Sequence, residues 1–319
     1  MVRYGRLSLA AALFVMGAPL SSPANALPTR TWVSGKGGDS GSCSLASPCR
    51  TFAYAITQTA AGGEIDVLDP AGYGALTITK AISIVNDGVG EAGVQAGSGA
   101  DAITINAGTT DAVHLRGLTI EGAKIAANGV TFNTAGSLSV VNCVVRNFTN
   151  AGINIRPGAA TLFFSTFNIS DTLISDNGVA GVYVIPQSGG SPSGEIDRAA
   201  IVNNANGLIA DGSYSASSAI KVTVLNSALA NNAGAGVAAT STASGAGMTV
   251  IVRNSTAANN TYGLEATSYG VIRVGQTVAT GNNTGVGIYG GTVYSLGDNI
   301  VDGNLAKDVD GSLSSAPLY

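Results

Sequence analysis

The chain has 319 residues, 44 of them glycine, with 45% apolar and 11% charged residues and a formal net charge of −4. So apolar a composition excludes a disordered chain, and glycine without a strict three-residue period excludes collagen. The shortage of Lys, Glu and Arg argues against a helical bundle, which leaves strands and turns.

The first segment, residues 1–26, reads as an address. Arg3 and Arg6 precede an uncharged apolar run from Leu7 to Leu20, and Ala24-Asn25-Ala26 follows. A basic start, a short apolar stretch and a small-residue site together make a secretory signal peptide. The run is too short to span a bilayer comfortably, so cleavage after Ala26 and export to the periplasm or the medium are expected. Cleavage removes two of the 15 basic residues and none of the 19 acidic ones, leaving a net charge of −6. Such a chain does not attract phosphate backbones, so no nucleic-acid partner is expected. No later stretch reads as a membrane span.

Residues 27–63 read as an N-terminal cap. Thr31-Trp32-Val33 starts a strand, and Ser34 to Pro48 is loop. Arg50 to Ala61 places Phe52, Ile56 and Ala60 on one side of a short helix that Gly62-Gly63 ends. Cys43 and Cys49 stand six apart in a Gly/Ser-rich loop, and a disulfide between them fits an oxidising compartment. Cys143 has no evident partner and reads as a buried, inert thiol. A zinc site is not expected, because His114 is the only histidine.

Short alternating strands follow, at Ile65/Val67, Leu76/Ile78 and Ile82/Ile84. From about residue 100 the chain repeats itself. Polar anchors stand at Asn142, Asp171, Arg198, Asn226, Asn254, Gln276 and Asp298, spaced 29, 27, 28, 28, 22 and 22. Glycines at 152, 181, 207, 236, 263 and 285 are spaced 29, 26, 29, 27 and 22. The two markers drift together, which marks a structural repeat. Its Asn and Gly content opposes helix, and its period is too short for a propeller blade. Three short strands and their turns fit one coil of a solenoid. The expected fold is therefore all-β, a single-stranded right-handed parallel β-helix over residues 64–305, of roughly nine or ten coils. Residues 306–319 form a tail or cap.

Stacking explains the residue choices. The polar anchors form a turn ladder of amides, which Arg198 interrupts without evident reason. The next position holds Cys143, Thr172, Ala199, Ser227, Ser255 and Thr277, all small and read as an interior stack. Val145, Ile174, Ile201, Leu229, Ala257, Val278 or Ala279, and Val301 form the next core column. Asn231-Asn232 and Asn259-Asn260 suit left-handed turn positions.

The segments VVNCVVRNFTNAGINI (140–155) and VTVLNSALANNAGAGVAA (222–239) resemble the repeats of the pectin-lyase-like superfamily of right-handed parallel β-helices. Residues 48–84 are similar to the segment in which those proteins place a short helix over the open end of the first coil. The resemblance covers nearly all of residues 48–305. It implies a secreted protein connected with polysaccharide: some members cleave or epimerise acidic polysaccharides, and others are adhesins, tailspikes or modules without catalysis.

The residues that such chemistry needs are not assembled here. Hydrolases of this kind carry Asn-Thr-Asp, Asp-Asp, Gly-His-Gly and Arg-Ile-Lys motifs, and none is present; His114 reads as a surface strand residue. Pectate-lyase-like members hold calcium in a carboxylate cluster and use an Arg or Lys as base. Alternation along the glycine-led strand places Thr131, Asn154, Tyr183, Ile209, Ala238, Glu265 and Gly287 on its outer face. Two residues later come Asn133, Arg156, Ile185, Asp211, Thr240, Thr267 and Tyr289. Asp211 and Glu265 then lie two coils apart, about 10 Å, too far to share one ion.

The expectation is therefore an exported, monomeric β-helix that leans away from catalysis and binds acidic polysaccharide, without a cofactor. Calcium has no supporting cluster. The candidate substrate-binding residues are Asn154, Arg156, Tyr183, Asp211, Glu265 and Tyr289. Arg156 suits carboxylates and the tyrosines offer flat apolar faces with polar tips. The alternatives are a lyase or related uronan-modifying enzyme, and a surface adhesin or spacer.

Overall fold

A computed structural model describes residues 1–2, 26–158, 165–187, 189–214, 219–242 and 247–316. Apart from residues 1, 2 and 26, the expected leader lies outside the described residues.

The described chain is a right-handed parallel β-helix, the hand that parallel crossovers adopt. Each coil visits three sheets in turn. One coil runs through Ser137–Val141 in the first sheet, Val144–Arg146 in the second and Ala151–Ile155 in the third. The sheets contain twelve, ten and ten strands in that order, and every strand pairs with its counterparts in adjacent coils. Strands Lys307–Asp310 and Ser314–Ser315 extend the third and first sheets at the C-terminal end.

The interior is a set of apolar columns. Val145, Ile174, Ile201, Leu229, Ala257 and Ala279 follow one another in register, and all are buried. Register thus selects Ala279 over Val278 for the core. The helix is Phe52–Gln58 and caps the first coil. Thr51 opens it, its hydroxyl accepting the Tyr54 N–H at 3.2 Å. The helix buries Phe52, Ala55 and Ile56 against strands Arg30–Val33, Gly63–Val67 and Leu76–Ile78. It ends before Ala60 because Thr59 turns extended, its hydroxyl donating to the Ala55 carbonyl at 2.8 Å. Cys43 and Cys49 form the expected disulfide. Cys143 is a buried free thiol, and burial pushes its pKa up to about 11.

The turn between the first and second sheets is short and sharp. Asn142, Asp171, Arg198, Asn226, Asn254 and Gln276 all occupy the left-handed region there, with φ between 49° and 52°. Arg198 does not break this column. Its guanidinium bridges both oxygens of Asp171 at 2.8 Å, and it also pairs with Asp197. Asn226 then donates to Asp197 at 2.7 Å. An ion pair replaces the amide contact over that step. The next column is the expected small interior stack. Each of its hydroxyls donates to the carbonyl two residues back, as Ser227 does to Leu225 at 2.6 Å. Those of Thr172, Ser227 and Ser255 also accept an N–H from the preceding coil, as Ser227 does from Ala199 at 3.1 Å.

The main polar ladder lies at the other short turn, between the second and third sheets. Asn177, Asn204, Asn232, Asn260 and Asn282 are buried there in succession. The Asn204 amide oxygen accepts the main-chain and side-chain N–H groups of Asn177 at 3.1 and 2.9 Å. The pattern passes through each later coil to Asn304. Of the paired asparagines, only Asn231 and Asn259 take left-handed angles, 57° each; Asn232 and Asn260 are rungs of this ladder.

The ladder explains the repeating glycine. A Cβ on Gly236 would lie 2.7 Å from the Gly263 carbonyl and 3.0 Å from the Asn260 side-chain nitrogen. Gly181, Gly207, Gly263 and Gly285 meet the same two obstacles. Glycine therefore recurs at the start of the third-sheet strands from Gly181 to Gly285, where the stacked amides and the next coil's backbone leave no room for a side chain.

Candidate functional site

The candidate face is the outer side of the third sheet. Alternation within a strand sends every second side chain outward, and parallel pairing aligns these residues between coils. Thr131, Asn154, Tyr183, Ile209, Ala238, Glu265 and Gly287 are partners from strand to strand, the expected order. Asp211, Thr240 and Thr267 are likewise aligned.

The six candidate residues separate into two groups. Asn154, Arg156, Tyr183 and Asp211 lie on three successive coils. Asn154 is only 8% exposed, and its buried amide oxygen has no hydrogen-bond partner among the described residues. Such an acceptor is costly to leave unmet, on the order of 1–3 kcal/mol. Beside it Thr131 is 3% exposed, its hydroxyl donating to Asp101 at 2.6 Å. The Arg156 N–H continues the strand pairing, donating to the Phe132 carbonyl at 2.9 Å. Its half-buried side chain has no ion-pair partner among the described residues.

Tyr183 is tied to Asp211. Its hydroxyl donates to one Asp211 oxygen at 3.2 Å, while the Ser213 N–H donates to the other at 2.8 Å. Burial, and then the Asp211 charge, push the phenol above the ordinary tyrosine range. The ring is thus held as a fixed surface next to Asn154.

The second group holds Glu265 and Tyr289. Burial raises the Glu265 carboxyl above the usual glutamate value. Tyr289 packs edge-on against Tyr262, with ring centroids 5.8 Å apart, and donates to Asp310 at 3.0 Å. Tyr262 and Asp310 were not among the residues selected by alternation. Asp310 could have been found, because it continues the Glu265–Gly287 column. Tyr262 precedes the repeating Gly263, outside the alternating stretch.

Calcium does not fit this face. Asp211 and Glu265 are two coils apart, and both Asp211 oxygens already accept protein hydrogen bonds. Among the described residues no group of three or more His, Cys, Asp or Glu side chains is placed to hold a metal. His114 is exposed on the outer side of the first sheet, aligned with Ser83 and Ser139.

No protein-family model matches the chain, and no curated protein matches its sequence. Among solved structures, the pectate lyase Pel9A is similar, at 13% identity over 90% of this chain and 80% of that one, with a TM-score of 0.60. An alginate lyase from Paenibacillus sp. str. FPU-7 aligns at 14% identity over 82% of this chain and 99% of that one, with a TM-score of 0.49. The fold is a parallel β-helix, similar to that of the pectate lyase Pel9A.

Proposed function

We propose that this is an exported, non-catalytic β-helix protein that binds an acidic polysaccharide along the outer face of its third sheet. The observation that carries the reading is the Arg156 side chain, which has no ion-pair partner among the described residues and lies two positions along the strand from Asn154, the register partner of Tyr183 with its fixed ring. A uronate residue supplies a carboxylate for Arg156 and a ring face for Tyr183. The basic, apolar and small-residue order of residues 1–26 supports export, and the Cys43–Cys49 disulfide fits an oxidising compartment. The likeness to a pectate lyase is compatible with a uronan ligand. We propose a monomer with a 27–63 cap and a 64–305 coil region.

The test is retention of the mature chain on immobilised pectate and alginate, with absorbance of unsaturated uronate followed in parallel. Binding is expected, and the Arg156→Ala/Tyr183→Ala double variant is expected to lose it by about tenfold or more while keeping its Tm. Failure of the intact chain to bind any acidic glycan on a broad array overturns the binding reading. Product absorbance, with or without calcium, overturns the non-catalytic one.

A further inference from the structure

Farther along the same face, the molecule changes character. At Gly287 the outward side chain is missing, and two rings fill its place. A Cβ there would lie 2.8 Å from Cε2 of Tyr289 and 3.1 Å from Cδ1 of Tyr262. The rings stand nearly perpendicular, at 78°, and Tyr289 is 41% exposed. The Tyr289 hydroxyl donates to one Asp310 oxygen at 3.0 Å, and Lys307 donates to the other at 2.7 Å. That chain fixes the ring from behind. One coil earlier in the same column, Glu265 faces outward beside the rings. It is half-buried, and among the described residues its carboxylate has neither a hydrogen bond nor an ion pair.

We infer that Glu265, Tyr262 and Tyr289 form a second carbohydrate subsite, which takes a pyranose bringing hydrogen-bond donors and no negative charge. A carboxylate is an acceptor only. It is satisfied by paired hydroxyls or by an ammonium group, and it repels a uronate. The tyrosine faces take the apolar side of a sugar ring. Arg156 cannot offset the repulsion. It stands four coils away, about 19 Å, roughly twice the screening length of about 8–10 Å in physiological salt. Lys307 is committed to Asp310. The face therefore has, at one end, Arg156 together with an Asp211 carboxylate already hydrogen-bonded within the protein, and at the other an aromatic end with the Glu265 carboxylate, unpaired among the described residues. The inference rests on the carbohydrate reading of this face, but it concerns different residues and a different ligand.

The test is calorimetric titration of the mature chain with cellohexaose, a chitosan hexamer and a galacturonate hexamer, for the wild type, Tyr289→Ala and Glu265→Gln. Cellohexaose or the chitosan hexamer is expected to bind, with Tyr289→Ala weakening it by about tenfold. Glu265→Gln keeps the size of the side chain and guards against a folding artefact. It is expected to weaken the chitosan hexamer by about tenfold and cellohexaose less. A larger effect on the chitosan hexamer assigns the donor to an ammonium group, and equal effects assign it to hydroxyls. The inference is overturned if neither neutral nor amine-bearing hexamer binds, or if neither variant changes their binding. It is also overturned if both variants weaken the galacturonate hexamer instead. Loss of pectate retention by the intact chain, with cellohexaose still bound, sinks the uronate reading and leaves this subsite standing.

Discussion

The two short turns of each coil carry polar columns of one period in opposite surroundings. At the turn between the first and second sheets, Asn142, Asp171, Arg198, Asn226, Asn254 and Gln276 share a left-handed backbone and little else. Their side chains reach solvent, so amide, carboxylate and guanidinium are all accepted there. At the turn between the second and third sheets, Asn177, Asn204, Asn232, Asn260 and Asn282 are all asparagine and all buried. Each must satisfy main-chain and side-chain groups of its neighbours at once, which only an amide of that length does. Burial, and not turn geometry, fixes residue identity in this solenoid.

Replacing one residue in each turn tests that difference most severely. Asn232→Ala removes the acceptor of two Asn204 N–H groups and the donor to the Ile201 carbonyl. With about 1–3 kcal/mol for each buried group left unmet, an overall loss of about 3–5 kcal/mol is expected. Asn226→Ala gives up its exposed hydrogen bonds with Asp197 and Asn254, which water replaces, and ease in the left-handed region, together about 1–2 kcal/mol. Urea denaturation midpoints of the two variants measure the gap. Equal losses would mean that the buried ladder contributes no more than the exposed turn.

The glycine beside the ladder gives the next largest effect. Gly236→Ala places a methyl group against the Gly263 carbonyl, and backbone cannot rotate away as a side chain can. Overpacking of this kind costs about 1–3 kcal/mol. Gly72, on the second sheet, has open space around its Cβ position, and Gly72→Ala is expected to leave the denaturation midpoint nearly unchanged. If both substitutions are silent, the amides do not hold the coils at the spacing described.

Much of this was open to a reader of the sequence, and the gaps share one cause. Asn142 and its equivalents, Gly152 and its equivalents, and the outward column from Thr131 to Gly287 all follow from alternation and period, which are local properties. The buried ladder escaped because Asn177, Asn204 and Asn232 recur with the same period as the exposed anchors. Period alone cannot distinguish a column facing water from one facing the interior. Arg198 looked anomalous because its partner Asp171 is 27 residues away in sequence but one coil away in space. On the candidate face, alternation found Tyr183 and Asp211 but not that they bond to each other. Nor could it show that Asn154 is buried with its acceptor unmet among the described residues. Those facts depend on what covers the face, which a single strand does not encode.

The smallest effect concerns charge on the outer face, where the ladder's neutral amides have no counterpart. Burial raises the Glu265 carboxyl in the folded protein. Below the ordinary glutamate value both folded and unfolded chains hold this proton, and the group has no influence on stability. Between the ordinary value and the raised one, the folded chain retains the proton and the unfolded chain has lost it. Stability therefore falls as pH rises through that interval, and stays lower above it. Glu265→Gln removes the decline. Because the side chain is half-exposed, solvent screening reduces the effect, and a shift on the order of a degree in Tm is expected. The measurement is Tm against pH from about 4 to 7 for both chains. Wild-type and variant curves should meet at the acid end and separate as pH rises, with the variant higher. Curves that stay parallel would mean the carboxylate is hydrated as freely folded as unfolded, and the outer face would then resemble the exposed turn more closely than the buried one.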